Sequence, residues 1–323
     1  MSKNFLTYNQ QMKYLREKKE IKCEGSNDKT ILRKAGYFNL VNGYKGPFIL
    51  SKGIDGHTYL KGTSIKELYE LKKFDDELRM HLLKYVTKVE EEVRTITGHI
   101  FDEVNKQGKV RWYEVTAYSV KSDAEKVVKV ISDSFQEVQR SQQKYIQHYL
   151  EKHKYVPTWI MVKTIKFSTF IDFLKCSKIE VKDSICNLYG FKKSDGKNDY
   201  TLLIGSLHWL RKVRNSCAHN ERIYGITREG TRIKAEYFNN LSKSYCRSRN
   251  QKLIDLIIYM RYYLSDKDYK KFVSEIKVLL SDLMKEINNQ SFNKVRADMG
   301  IKKLEDLDIM MNTKKKVNYN ILN

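Results

Sequence analysis

The strongest constraint on the fold is an apolar ladder that follows Ser64. Leu68, Leu71, Phe74, Leu78, Leu82, Val86, Val89, Val93, Ile96 and Ile100 recur at steps of three or four residues, the spacing of one buried helical face. Sustained for about nine turns, it predicts a long rod that the rest of the chain must pack around. Ser64 with Glu67 forms a capping box at its start, and Asp75 marks the one place where a break is expected. The chain has only two prolines and 15 glycines in 323 residues, so helices meet few interruptions. Strand alternation is scarce, and the expected class is all-α.

The flanking segments fill out this picture. A helix over 5–22 carries Leu6, Met12 and Leu15 with Thr7 as its cap, and Asp28 caps a short helix bearing Ile31, Leu32 and Ala35. YFNLVNGYKGPF (37–48) is aromatic and punctuated by Gly43, Gly46 and Pro47. It reads as a small core sealing a helix end, with base stacking beside lysine as the alternative. Residues 49–62 read as a loop or hairpin, and 106–122 as an irregular connection. Helices are expected at 123–152, from Pro157 through WIMVKTIKFSTFIDFL, at 178–189 ending on Gly190, at 250–264, and at 266–288 behind Ser265 and Asp268. The domain reading is an N-terminal helical and loop extension (1–62), a main helical domain (63–312) that is separate from or continuous with it, and a loose tail (313–323).

The formal net charge is +22. Such a surplus repels itself in the folded state and points to a polyanionic partner, nucleic acid first and acidic membrane second. The bland alternative is a lysine-rich surface with no partner. No stretch approaches 18 consecutive apolar residues, so no membrane span is expected. Five cysteines are scattered without a CxxC, and no apolar signal core is seen at the N-terminus. A reducing cytoplasm is the expected location.

Chemistry concentrates at residues 199–224, DYTLLIGSLHWLRKVRNSCAHNERIY. Asp199 caps a helix whose buried face is Leu203, Leu207, Leu210 and Val213. Directly beyond come Arg214, Asn215, His219, Asn220 and Arg222. Arg214 and His219 are five residues apart, hence about 140° apart on a continuous helix. A shared site therefore requires that the helix stop between them or that a second copy complete it. An Arg four to six residues before a His is expected about once by chance in such a chain. Indeed Arg94 and His99 repeat the spacing, inside a strongly apolar helix where a structural role is the simpler reading. Glu90 lies one turn before Arg94 and is placed to pair with it, either as an exposed pair or as a buried support for a motif arginine. Arg211, Lys212, Asn220, Arg222, Arg228, Arg232, Tyr44 and Lys45 are the candidate RNA contacts. Their alternative role is a solvated basic surface.

Other chemistries find no support. Nucleotide-binding glycine loops, GxSxG and HExxH are absent. His148 and His153 have poor metal-ligand spacing, so no metal or other cofactor is expected. Cys217 precedes His219 by two residues, and neighbours at that spacing diverge on a helix, which argues against a cysteine nucleophile. A metal-free cleavage of RNA would use His219 on the ribose 2′-hydroxyl or leaving 5′-oxygen, Arg214 on the phosphate, and Asn215 to orient either.

With these residues in view, the chain resembles the Abi-like family of bacterial abortive-infection proteins, the AbiD/AbiF group. The resemblance is carried by LTYNQQMKYLREKKEI, AGYFNLVNGYKGPF, GTSIKELYELKKFDDELRMHLLKYVTKVEEEVRT, VPTWIMVKTIKFSTF, LRKVRNSCAHNERIY and ADMGIKKLEDL, and NLVNGYK leans towards the AbiF side. It implies a HEPN-type helical bundle, a class whose RNases carry Arg-x4–6-His with a polar residue after the arginine. Arg214, Asn215 and His219 match that pattern. The resemblance further implies composite sites made by two copies or domains, a role in phage defence, and an associated structured noncoding RNA. Asn39, Ser168 and Leu304 depart from residues common among relatives, which bears on substrate and partner more than on fold. Two functions follow as expectations: a metal-independent endoribonuclease, or a non-catalytic RNA-binding protein that acts with a cognate RNA. A membrane-surface or protein-partner module is the third reading. A homodimer is one way to complete the site.

Overall fold

The computed structural model describes residues 5–53, 56–229, 245 and 250–314. Its fold is all-α, with thirteen α-helices and two small two-stranded sheets among the described residues. In the N-terminal part, α1 (Tyr8–Lys19) starts on a Thr7 capping box closed by Gln10. The second helix, α2 (Gly25–Ala35), begins four residues earlier than expected, with Glu24 and not Asp28 at the N-cap position. Asp28 sits inside its first turn and accepts the Glu24 amide at 2.8 Å. A wide helical turn at 38–42 follows, then the hairpin of β1 (Ile49–Gly53) and β2 (Gly56–Tyr59).

The predicted rod is α3 (Ile65–Val104), 40 residues in one unbroken helix, about 60 Å long. Ser64 and Glu67 form its capping box as expected. The expected break at Asp75 does not occur. Asp75 is wholly buried and takes most of its hydrogen bonds from outside the helix, from Tyr44 Oη at 3.0 Å and from the amides of Ile223 and Tyr224 at 3.0 and 2.8 Å, with Arg79 one turn on adding a longer one at 3.4 Å. A buried carboxylate with that many donors needs no helix break to be satisfied.

Beyond α3, the helix expected over 123–152 is divided. It comprises α4 (Ala124–Gln139) and the short α5 (Lys144–His148), which runs into a wide turn at 149–153. The segment after Pro157 is also two helices, α6 (Thr158–Thr164) and α7 (Phe167–Cys176). The separation has a physical cause. Ile165 leaves the helical region at ψ 155°, and the carbonyls of Val162 and Ile165 accept hydrogen bonds from the Arg94 guanidinium. Next come α8 (Ile179–Tyr189), which ends at Gly190 with φ 77° as expected, and α9 (Tyr200–Ala218), capped by Asp199 on the Leu202 amide at 2.9 Å. The pair β3 (Arg228–Glu229) and β4 (Asn250–Gln251) precedes α10 (Leu253–Tyr263) and α11 (Asp266–Glu286). Two further helices, α12 (Asn289–Met299) and α13 (Glu305–Met311), have no counterpart in the sequence reading.

The rod is the hub, packing against α6, α8, α9 and α11. Its approach to α6 is close at Gly98, where an added Cβ would lie 3.0 Å from Val162 Cγ2 and 3.3 Å from Trp159 Cα. All eleven residues of α10 are buried, so it has no solvent face. The first 62 residues are tied to the remainder by hydrogen bonds from Tyr44 to Asp75, Arg222 to the Gly43 carbonyl and Lys294 to the Ile49 carbonyl. No helix among the described residues is long and apolar enough to cross a membrane.

Candidate functional site

The sequence reasons for α9 operate as physics in the structure. Leu203, Leu207, Leu210 and Val213 are fully buried, and each such side chain contributes about 1.5–3 kcal/mol over an exposed one. That burial fixes the rotation of the helix, so that Arg214, Asn215 and His219 emerge on the solvent side. The helix stops at Ala218. His219 is the residue that ends it, with its amide on the Asn215 carbonyl at 3.0 Å, and Asn220 takes the left-handed conformation at φ 55°. Ser216 Oγ donates to Glu221 at 2.5 Å and the Glu221 amide returns to the Ser216 carbonyl, which locks the exit.

Arg214 is supported from below. Its Nε lies 3.7 Å from Glu90 Oε2, and an Nη donates to Asn215 Oδ1 at 3.3 Å. The other oxygen of Glu90 accepts two bonds from Arg94, at 3.0 and 2.7 Å. Glu90 is thus shared between a buried arginine and an exposed one. Arg94 is consumed entirely by structure. It is buried, it donates to Glu90, Val162 and Ile165, and the rings of Phe167 and Phe170 flank it at 5.2 and 5.0 Å. Burial pulls its guanidinium below the ordinary value, while Glu90 pushes it back up. His99, by contrast, points to solvent, so the second Arg–His spacing joins an inward residue to an outward one. His219 is exposed and has no side-chain partner among the described residues.

The loop after the motif is set by Asp75 and Arg79, neither of which was singled out for this role in the sequence. Asp75 accepts the Ile223 and Tyr224 amides, and Arg79 donates to the Glu221 carbonyl at 3.0 Å. Burial raises the Asp75 carboxyl above its usual range, against those hydrogen bonds and Arg79, which lower it. The only signal in the sequence was a polar residue interrupting an apolar stretch, which has many causes.

The candidate contacts divide into separate places. Asn220 and Lys212 are exposed near the helix end, with Lys212 Nζ donating to the Thr227 carbonyl. Arg222 is exposed, donates to the Gly43 carbonyl at 2.8 Å and lies over the Tyr224 ring at 5.3 Å. Lys45 donates to Asn42 Oδ1 at 3.1 Å. Tyr44 belongs to the core, with its ring beside Tyr224 and its hydroxyl on Asp75, which leaves no open face for a base. Arg211 and Arg228 lie together further back along α9, and Arg232 is outside the described residues. Cys217 is buried, and burial pushes its thiol up to about 12, so a thiolate beside His219 is disfavoured. His148 and His153 are exposed rings 5.9 Å apart, and no three His, Cys, Asp or Glu side chains converge on one point among the described residues.

Comparison with known proteins locates the chain. A family model described as Abi-like protein matches residues 30–225, a span that takes in α3 and all of α9. The chain belongs to the Abi-like family and is an abortive-infection-type protein. No curated protein and no solved structure matches it.

Proposed function

We propose that this Abi-like protein binds RNA in the bacterial cytoplasm as part of phage defence, and that it is a HEPN-type endoribonuclease acting without a metal through Arg214, Asn215 and His219. The observation that supports this reading is the end of α9. An arginine, its neighbouring amide and, past the end of the helix, an imidazole without a side-chain partner among the described residues are all exposed there, and the arginine is braced by Glu90. His219 exchanges a proton with the 2′-hydroxyl or the leaving oxygen. Arg214 is a permanent cation with a fork that fits phosphate, and Asn215 holds one or the other in place. Because α9 is helical up to Ala218, the Cβ atoms of Arg214 and His219 leave it about 140° apart. A second copy, contributing the complementary residue, completes the site. The charge of +22 holds the RNA, and affinity falls steeply with salt.

The second reading, a non-catalytic complex with a structured noncoding RNA, is favoured by the same exposure, since open polar groups grip RNA as readily as they cut it. One experiment separates the two. Wild type and His219→Ala are purified from the native host and their bound RNA is sequenced. Heterogeneous RNA with new ends only in wild type supports cleavage. One discrete full-length RNA in both samples overturns it in favour of binding, and no RNA in either overturns both.

A further inference from the structure

The cleft between α7, α8 and the first half of α9 holds a cluster of cations separate from the helix end. It has a volume of about 380 Å³ and is lined by Lys175, Lys182, Tyr200, His208 and Arg228, with Arg211 beside it. We propose that this cleft is a binding site for a phosphate group, carried by a polynucleotide or by a free nucleotide.

Only Lys175 among the lining cations is cancelled from within. Lys175 is matched by Asp172 at 3.1 Å. The nearby Asp183 already accepts from Asn198 and the Tyr200 hydroxyl. Lys182 spends one donor on the Lys175 carbonyl at 3.1 Å, and Arg228 one on the Gly205 carbonyl at 3.3 Å. Neither meets a carboxylate within ion-pair distance among the described residues. The imidazole of His208 registers the resulting field. Burial first, then Lys175, Arg228 and Arg211, pull it down to about 4, against Asp172 alone. Cations of this number around a concave, partly apolar wall suit an anion with several acceptor oxygens, and Tyr200 with Ile204 supplies a surface for the attached nucleoside.

The site stands whether or not Arg214 and His219 cut RNA. It is related to them in space, however. His208 and His219 are eleven residues apart, about 16 Å along α9 and within about 20° of the same side. A strand whose phosphate is seated in the cleft can therefore run along the helix towards its end.

The test is a titration of histidine-labelled wild-type protein followed by the His208 ring resonance in NMR. The probes are inorganic phosphate, adenosine monophosphate and a short RNA without terminal phosphates, at matched ionic strength. Saturable movement of His208 is expected, with its pKa rising by about one unit or more as an anion offsets its cationic neighbours. The Lys182→Met/Arg228→Gln double variant is expected to weaken binding at least about tenfold, while His219→Ala leaves the His208 titration intact. Response to the mononucleotide but not to the RNA assigns the cleft to free nucleotides; response to the RNA assigns it to the backbone. No saturable movement with any probe, or the same movement with chloride, overturns the proposal on the wild-type protein alone. Unchanged affinity in a folded double variant overturns it as well. Loss of cleavage in His219→Ala with an unchanged His208 titration shows that the two sites fail or hold separately.

Discussion

Replacing Glu90 tests the central claim about the site, that one carboxylate supports two arginines at different depths. Arg94 is 7% exposed and receives its entire anionic compensation in direct contact from Glu90 Oε1, at 3.0 and 2.7 Å. Glu90→Ala leaves a buried guanidinium on two carbonyls and two phenyl faces, and breaking a buried pair from one side costs about 3–5 kcal/mol. Glu90→Gln keeps one acceptor and costs about 3 kcal/mol by the same reasoning. The Arg214 side of the bridge is different. That arginine is 44% exposed and 3.7 Å away, so its loss is worth no more than about 1 kcal/mol, or about fivefold in RNA affinity. Urea unfolding of Glu90→Gln, Arg94→Met and Glu90→Gln/Arg94→Met forms a double-mutant cycle. The double variant is expected to be more stable than Glu90→Gln, with a coupling of about 2 kcal/mol or more. If Glu90→Gln unfolds within about 0.5 kcal/mol of wild type, Arg94 does not depend on Glu90 and the bridge is incidental.

Two further outcomes rest on other contacts. Asp255 is buried, accepts the Lys252 amide at 2.8 Å, and is raised by burial from 3.8 to about 6. The folded protein therefore holds this proton more tightly than the unfolded chain, and stability falls as pH rises from about 4 to 6 and then levels off. Asp255→Asn keeps the amide acceptor and removes the charge. It should remove that slope and gain up to about 3 kcal/mol in urea unfolding at pH 8, with no gain at pH 3. Gly98→Ala adds a methyl group at 3.0 Å from Val162 Cγ2 and 3.3 Å from the Trp159 backbone. The clash outweighs the helix propensity of alanine, and a net loss of about 1–2 kcal/mol is expected in the same assay. A more stable Gly98→Ala would mean that α3 and α6 are not in close contact there.

What was legible in the sequence is what is decided locally. Thr7, Ser64, Asp199 and Ser265 cap their helices through side chains three residues or fewer from their targets, and the α3 ladder states its own buried face. The misses are long-range. The break at Ile165 follows from Arg94, 71 residues away in sequence. Asp75 is tolerated inside α3 because a loop 148 residues later brings its amides. Tyr44 looked available for a base because its partner Asp75 lies 31 residues on. The cationic cleft draws on α7, α8, α9 and β3, so no spacing in the chain announces it. The polar end of α9 was visible as composition, but its support by Glu90 required the packing of α9 against α3.

The geometry of α9 leads to a prediction about who completes the proposed site. Arg214 and His219 diverge on one helix, so each site would take its arginine from one copy and its histidine from the other. Arg214→Ala and His219→Ala are each inactive as homodimers under this scheme. In a heterodimer of the two, the intact arginine of one copy meets the intact histidine of the other at one site, and the second site lacks both. Co-expression with random pairing makes about half of the dimers mixed, each with one working site of two, so about a quarter of wild-type cleavage returns. Isolating the mixed dimer through two affinity tags raises that to about a half. A site contained within one chain, or one that needs both residues from both copies, restores nothing. Mixed dimers that stay inactive while wild-type dimers cut RNA therefore refute the one-from-each arrangement.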